Sequence, residues 1–123
     1  MMVSSKSIAT IRRTAKECLS DSHFERFLHE ELLTALEVGE LLDIPPPFRA
    51  VRRWRGDGHV LALPVARGFL YPAFQIDHER RRLDPLVVAF VKARRDHSAW
   101  TQLALWYERK FELSTSAGRT SIT

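Results

Sequence analysis

The stretch "TALEVGELLDIPPPFRAVRRWR" constrains the fold most, because its capping residues and prolines fix where helices begin and end. Thr34 and Glu37 have the spacing of a capping box, in which each side chain accepts the other residue's backbone N–H at a helix start. The three prolines cannot continue that helix, since proline lacks an N–H donor and restricts the residue before it. Proline is favoured in a helix's first turn, so either of the last two can open the next helix. We therefore predict one helix from Ala35 to about Leu42 and a second over 48–55.

Two helices are predicted before this stretch. Ser5 or Ser7 can cap the first, and its apolar stripe consists of Ile8, Ile11, Ala15 and Leu19. Asp21 can cap the second, whose helically spaced positions are Phe24, Phe27, Leu28, Glu31 and Leu32. Cys18, the one cysteine of the chain, lies near the apolar side of the first helix, so we expect a small buried side chain there.

Strands and two further helices are predicted after the arginine-rich helix. "HVLALP" and "GFLYPAF" are rich in strand-forming residues and are separated by "VARG", which is typical of a β-hairpin or wing. Asp84 and Pro85 can start a helix that runs to about Arg95, and Ser98 can cap the last one. The apolar stripe of that last helix consists of Trp100, Leu103, Ala104, Tyr107 and Phe111. The small, polar tail "LSTSAGRTSIT" predicts a flexible end.

The order of these elements predicts an α+β fold that is mainly helical. We expect N-terminal helices at 1–31, with a possible role in dimerisation. A helix-turn-helix with a β-hairpin wing follows at 32–77, and a C-terminal helical pair with the tail at 78–123. No apolar run approaches the roughly 20 residues of a membrane span, and the start of the chain has no signal-peptide pattern. The sequence thus predicts a cytoplasmic protein that does not enter a membrane.

Charge is distributed unevenly along the chain. Residues 21–43 carry seven carboxylates against one arginine, whereas residues 44–67 carry five arginines against one aspartate. Fifteen of the 19 basic residues are arginine, whose planar guanidinium forms paired hydrogen bonds with phosphate or guanine. The pattern indicates an anionic partner for the middle of the chain, or acidic and basic faces that meet in a dimer. A solvated charged surface is the simplest alternative.

Motifs of catalysis and metal binding are missing from the sequence. A single cysteine excludes an intrachain disulfide and a cysteine-based zinc cluster, and there is no HExxH, GxSxG or glycine-rich phosphate loop. His29 and His78 adjoin carboxylates, but neighbouring residues of a helix or strand point apart. We therefore predict no enzyme, no catalytic residue, no metal site and no cofactor.

The segment 48–55 has the make-up of a recognition helix, which places its N-terminal part in the DNA major groove. Its core-facing side is either Phe48 with Val51 and Arg55, or Val51 with Trp54. Outward-facing arginines would then meet phosphate oxygens or guanine edges, and the wing loop would add another. The predicted DNA-binding residues are Arg49, Arg52, Arg53, Arg55 and Arg67. The chain has no asparagine, and its only glutamines are Gln75 and Gln102, so few side chains could read adenine.

Four stretches carry a resemblance to known families. "LLTALEVGELLDI" with "VRRWRGDGHVLALP" resembles the winged helix-turn-helix of MerR-type and excisionase-type proteins. "YPAFQID" is similar to the segment that follows the helix-turn-helix in antitoxins of the Xre/MbcA/ParS group, and "GRTSI" is similar to a motif near the end of their toxin-binding domain. The resemblance covers about residues 32–122. This chain departs from it by two additional residues before Trp54, which predict a displaced or shortened recognition helix, and by the missing proline-asparagine pair after Tyr107.

The resemblance implies an antitoxin of a type II toxin–antitoxin pair. Such a protein would neutralise a toxin of the NAD-degrading RES type by binding it through the C-terminal helices, and it would repress its own operator DNA. The residues implied for toxin contact are Trp100, Trp106, Tyr107, Arg119 and Thr120, although helical spacing among leucines and alanines favours core packing for the aromatic ones. A homodimer or higher complex is expected. The alternatives are a transcriptional regulator without a toxin and an interaction protein with a decayed helix-turn-helix.

Overall fold

The structure, a computed structural model, describes the backbone of residues 5–120 and the side chains of residues 8–109. Within that range it is mainly helical and has a small antiparallel sheet, so the predicted α+β, mainly helical fold is confirmed. The helices are α1 (Ser5–Cys18), α2 (Asp21–Leu28), α3 (Ala35–Leu41), α4 (Pro47–Gly56), α5 (Pro85–Ala93) and α6 (Ala99–Thr120). The strands are β1 (Leu32–Leu33), β2 (Leu63–Val65), β3 (Gly68–Pro72), β4 (Ile76–Asp77) and β5 (Arg82–Leu83), with a 3₁₀ turn at Ala73–Gln75.

The helix starts follow the capping chemistry of the sequence. The Thr34 hydroxyl accepts the Glu37 backbone N–H at 3.1 Å, and the Glu37 carboxylate accepts the Thr34 N–H at 2.9 Å, which confirms the capping box. The Asp84 carboxylate accepts the Leu86 N–H before α5, and the Ser98 hydroxyl accepts the Thr101 N–H at the start of α6. These caps satisfy N–H groups that the first helical turn leaves without partners.

Several boundary predictions were wrong. The cap of α2 is Ser20 rather than Asp21, because the serine hydroxyl accepts the His23 N–H and Asp21 is already helical. Leu32 and Leu33 belong to a strand and not to α2, since they pair with β3. Cys18 is exposed, because the buried stripe of α1 passes through Ala15 to Leu19 and leaves the cysteine beside it.

The C-terminal tail also differs from its prediction. The backbone of α6 continues as helix through Thr120, whereas the composition of the tail predicts a flexible end. Extending an existing helix adds one hydrogen bond per residue without a new nucleation step, and residues 113–120 contain no proline to interrupt it. The final residues, 121–123, lie outside the described part of the chain, as do residues 1–4.

The three-stranded sheet, in the order β1–β3–β2, lies between two hydrophobic cores. Leu70 of β3 packs with α1, α2, α5 and α6, whereas its neighbour Tyr71 packs with α3 and α4. In β1, Leu32 packs in the same core as Leu70 and Leu33 packs in the same core as Tyr71, because successive side chains of a strand point to opposite faces. Helices α3 and α4 thus cover one face of the sheet, whereas α1, α2, α5 and α6 share the other. No described helix combines the length and apolar character that a bilayer crossing needs.

Gly39 of α3 permits the close approach of the next helix. A Cβ atom added there would collide with the backbone carbonyl group and Cα of Pro47, so any larger residue requires the two helices to separate. Gly39 is buried, and Val38 beside it packs with Val51 of α4 in the hydrophobic core on that face of the sheet. The α3–α4 geometry therefore depends on a residue without a side chain.

We expect Gly39→Ala to lower the free energy of unfolding by about 1–3 kcal/mol, because overpacking a closed contact forces backbone shifts. Gly56→Ala is the matched control at the end of α4, where an added Cβ meets nothing within 4 Å. That substitution should raise stability by about 0.5–1 kcal/mol, the usual effect of removing a helical glycine. Urea unfolding followed by tryptophan fluorescence measures both. Equal stability of the two variants would contradict the described α3–α4 contact.

Candidate nucleic-acid interface

The α4 helix packs through one side and leaves the other to solvent. Val51 is fully buried and Trp54 is half-buried against the same core, which confirms the second of the two predicted inward faces. Phe48, which the other alternative placed inside, is 45% exposed. The helix has ten residues, from Pro47 to Gly56, so the additional prolines do not shorten it. They precede it instead, and the Pro45–Pro46 peptide bond is cis.

Three of the predicted DNA-binding arginines project from the solvent side of α4. Arg49, Arg52 and Arg53 are exposed, and none of them has a carboxylate within ion-pair distance among residues 8–109. Arg67 is exposed in the two-residue turn between β2 and β3, again without an ion pair in that range. Unpaired guanidinium groups on a helix and on the adjacent hairpin form a surface that attracts polyanions.

Arg55 has a different position from the other four. It is half-buried, its Nη1 donates to the Tyr71 hydroxyl at 3.2 Å, and its guanidinium carbon lies 4.2 Å from the centre of the Phe69 ring. These contacts join the end of α4 to β3. Arg55 therefore fixes the wing against the helix, and its predicted contact with DNA stays a prediction.

Two exposed phenylalanines complete this surface. Phe48, Arg52 and Arg55 follow one another at helical spacing along α4, and Phe69 of the wing continues the row beyond Arg55. We call these four residues the arginine–aromatic stripe. Sequence reasoning missed Phe69, which is 37% exposed. Strand alternation contained the signal, since residues 69 and 71 of β3 face the same side of the sheet, towards α4.

Both glutamines are used by the fold. The Gln75 amide is buried, donates to the Leu61 carbonyl at 2.8 Å and accepts the Leu61 N–H at 2.8 Å. The Gln102 amide donates to the carbonyls of Arg94 and His97, at 2.9 and 3.0 Å, and thereby satisfies the end of α5. Neither side chain is available for a base edge. The bidentate amide contact to adenine is therefore absent from the described part of this surface, whereas its arginines can bond guanine.

The aromatic residues assigned to toxin binding are buried. Trp100 meets Phe27 edge to face at 5.5 Å, and Trp106 stacks on Phe74 at 5.1 Å. Their exposed fractions are 8% and 6%, and that of Tyr107 is 2%. These three aromatic side chains therefore pack in the core, as their helical spacing favours. A protein bound to this surface would contact the exposed residues beside them. Arg119 and Thr120 lie in the last turn of α6, and their side chains are outside the described residues.

Tyr107 ties α6 to α2. Its hydroxyl donates to Glu30 at 3.3 Å, while Arg26 donates to its backbone carbonyl at 2.8 Å and lies 4.7 Å from its ring centre. Burial raises the pKa of Tyr107 well above its ordinary value, and the Glu30 carboxylate raises it further. The side chain therefore stays neutral and serves as a hydrogen-bond donor.

Among the described residues, no group of three or more histidine, cysteine, aspartate or glutamate side chains is placed to hold a metal ion. The surface formed by α4 and the β2–β3 hairpin is a basic face that carries two exposed aromatic rings. Comparison with protein-family models, with curated proteins and with solved structures gave no match.

Proposed function

We propose that this protein binds double-stranded DNA through α4 and the β2–β3 wing and thereby regulates transcription. The observation that carries the proposal is a set of exposed arginines that form no ion pair within residues 8–109: Arg49, Arg52 and Arg53 on α4, and Arg67 in the wing turn. Helix-turn-helix proteins place such a second helix in the major groove, and phosphate contacts by arginine supply most of their affinity.

The element order supports this use of the surface. α3 packs on α4 through Gly39, and the hairpin that follows is fixed to α4 by Arg55. A recognition helix needs this rigid support, because a base contact depends on how the helix enters the groove. The sheet behind α3 and α4 supplies it through the buried Tyr71.

The salt dependence of binding tests the proposal. If the four exposed arginines each reach a phosphate, the logarithm of affinity should fall with the logarithm of salt concentration at a slope of about −3.6 per protomer. Affinity for a random-sequence duplex should then drop about 100-fold between 50 and 200 mM salt. Fluorescence anisotropy with a labelled duplex measures this slope. A slope near zero, or no binding at 50 mM salt, would refute DNA binding.

A toxin partner is the second candidate, and we propose it for the C-terminal helices. The resemblance of "YPAFQID" and "GRTSI" to antitoxin segments supports it, and the structure supplies a helix, α6, that continues for three turns beyond Tyr107. A bound antitoxin helix would act by covering the mouth of a toxin's active site. The bound toxin would be of the RES type, and the arginine face on the opposite side of the sheet would stay open to operator DNA.

Coexpression with the protein encoded next to it tests this second candidate. We expect a complex that survives size-exclusion chromatography, and toxicity of the neighbour when it is expressed alone. The matched variant lacks residues 110–123, which keeps every buried residue of α6 described above. Loss of the complex with retention of the fold would assign the contact to the end of α6. A harmless neighbour that elutes separately would refute the toxin proposal and leave DNA binding untouched.

A further inference from the structure

Phe48 is an exposed aromatic ring that belongs to neither hydrophobic core of the described residues. It is the second residue of α4, and 45% of its surface is accessible, while the helix packs through Val51 and Trp54. In helix-turn-helix proteins this N-terminal part of the second helix meets the base edges. A phenyl ring at this position therefore has the location of a base-reading side chain.

Arg52 lies one helical turn beyond Phe48 and is held next to it. Its guanidinium carbon is 5.2 Å from the centre of the Phe48 ring, within the range of a cation–π contact. No carboxylate among residues 8–109 pairs with Arg52, so its N–H donors are open to a ligand. The two side chains together present an apolar ring beside a fork of donors.

The base edges of the major groove match these two groups. Guanine displays two acceptors, N7 and O6, which an arginine fork bonds together, and thymine displays a 5-methyl group that phenylalanine contacts. Adenine is normally read by an amide side chain, and both glutamines are buried in hydrogen bonds to the backbone. The surface thus has chemistry for guanine and for a methylated pyrimidine.

We propose that Phe48 and Arg52 act as a pair that recognises a 5-methylpyrimidine and a guanine in adjacent base pairs; this inference rests on the DNA binding proposed above. Successive nucleotides of one strand are about 3.4 Å apart along the duplex axis, so side chains separated by 5.2 Å can span two neighbouring pairs. Thymine and 5-methylcytosine carry the same methyl group. A step containing thymine and guanine, and a methylated cytosine–guanine step, therefore offer the same contact.

The test begins with selection of a preferred site from a random duplex pool by the full-length protein. Uracil then replaces each thymine in turn, which removes one methyl group, and 7-deazaguanine replaces each guanine, which removes one acceptor. We expect one sensitive thymine, with about fivefold weaker binding after loss of its methyl group. The guanine beside it should show about a tenfold effect.

Variants assign the two effects to side chains. Phe48→Ala should abolish the uracil effect, and Arg52→Ala, which removes every side-chain donor at that position, should abolish the 7-deazaguanine effect. Leu86→Ala, which truncates an exposed leucine on α5, should change neither. A site with 5-methylcytosine in place of the sensitive thymine should bind about fivefold tighter than the same site with cytosine.

The outcomes separate this inference from the proposal beneath it. Salt-dependent binding with an undiminished uracil effect in Phe48→Ala would overturn the pair and leave DNA binding in place. Equal affinity for the cytosine and 5-methylcytosine sites would overturn it in the same way, as would a selected site without the predicted neighbours. Failure to bind any duplex at low salt would overturn both.

Discussion

Replacement of Arg49, Arg52 and Arg53 by alanine together should lower affinity for a random-sequence duplex, on which all three contact phosphates, by two to three orders of magnitude at 0.1 M salt. Each arginine–phosphate contact contributes a factor that varies as the −0.9 power of the salt concentration, which is about eightfold at 0.1 M. The salt slope should change from about −3.6 to about −0.9, because Arg67 is then the one remaining arginine of the four proposed to contact phosphate. Anisotropy titrations at four salt concentrations measure both quantities.

A matched variant controls for the loss of three positive charges. Arg12, Arg13 and Lys16 are exposed on α1, so their replacement by alanine changes net charge equally at another surface. This control should keep a slope near −3.6. If both variants lose the same affinity, the protein attracts DNA by its overall charge, and α4 is not the contact surface. Circular dichroism should show unchanged helix content in both, because all six side chains are exposed.

Gln75→Leu should lower the free energy of unfolding by about 2–5 kcal/mol. The substitution leaves both the N–H and the carbonyl of Leu61 buried without their hydrogen-bond partner, and each orphaned group costs about 1–3 kcal/mol. Domains of this size have stabilities of about 5–15 kcal/mol, so the loss is a large fraction of the total. Urea unfolding followed by tryptophan fluorescence measures it.

Gln75→Glu tests whether the hydrogen bonds, rather than side-chain volume, cause that loss. A glutamate keeps an acceptor for the Leu61 N–H, but it donates to the Leu61 carbonyl only when it is protonated. Burial raises the pKa of the introduced carboxyl group, so this variant should gain stability relative to Gln75→Leu as pH falls from 7 to 5. A constant difference between the two variants over that range would show that the amide hydrogen bonds contribute little.

The sequence predicted those parts of the fold that local chemistry decides. The capping box at Thr34, the proline start of α4 and the Asp84 cap of α5 each depend on residues within four positions of one another. The strand at 32–33 was missed because its formation depends on pairing with Tyr71 and Pro72, some forty residues later. Propensity carries no information about such a partner.

The candidate site shows the same division. Helical spacing and composition were enough to identify the outward-facing arginines of α4 from the sequence alone. They could not choose between Phe48 and Trp54 as the inward residue, because that depends on how α4 rotates against α3 around Gly39. Spacing and composition also could not predict the hydrogen bond from Arg55 to the Tyr71 hydroxyl, since it joins two elements that are far apart in the sequence.

The sheet between the two cores has a consequence for genetics. Leu63 and Leu70 of the wing strands are buried against the terminal helices, so a fragment cut to residues 32–77 would expose them and lose its support. If the protein represses transcription as proposed, alleles that abolish repression should map to α6, at positions such as Leu103, as well as to the arginines of α4. Temperature-sensitive alleles would mark the first group, because they act on folding, whereas alleles of the second group would be defective at every temperature.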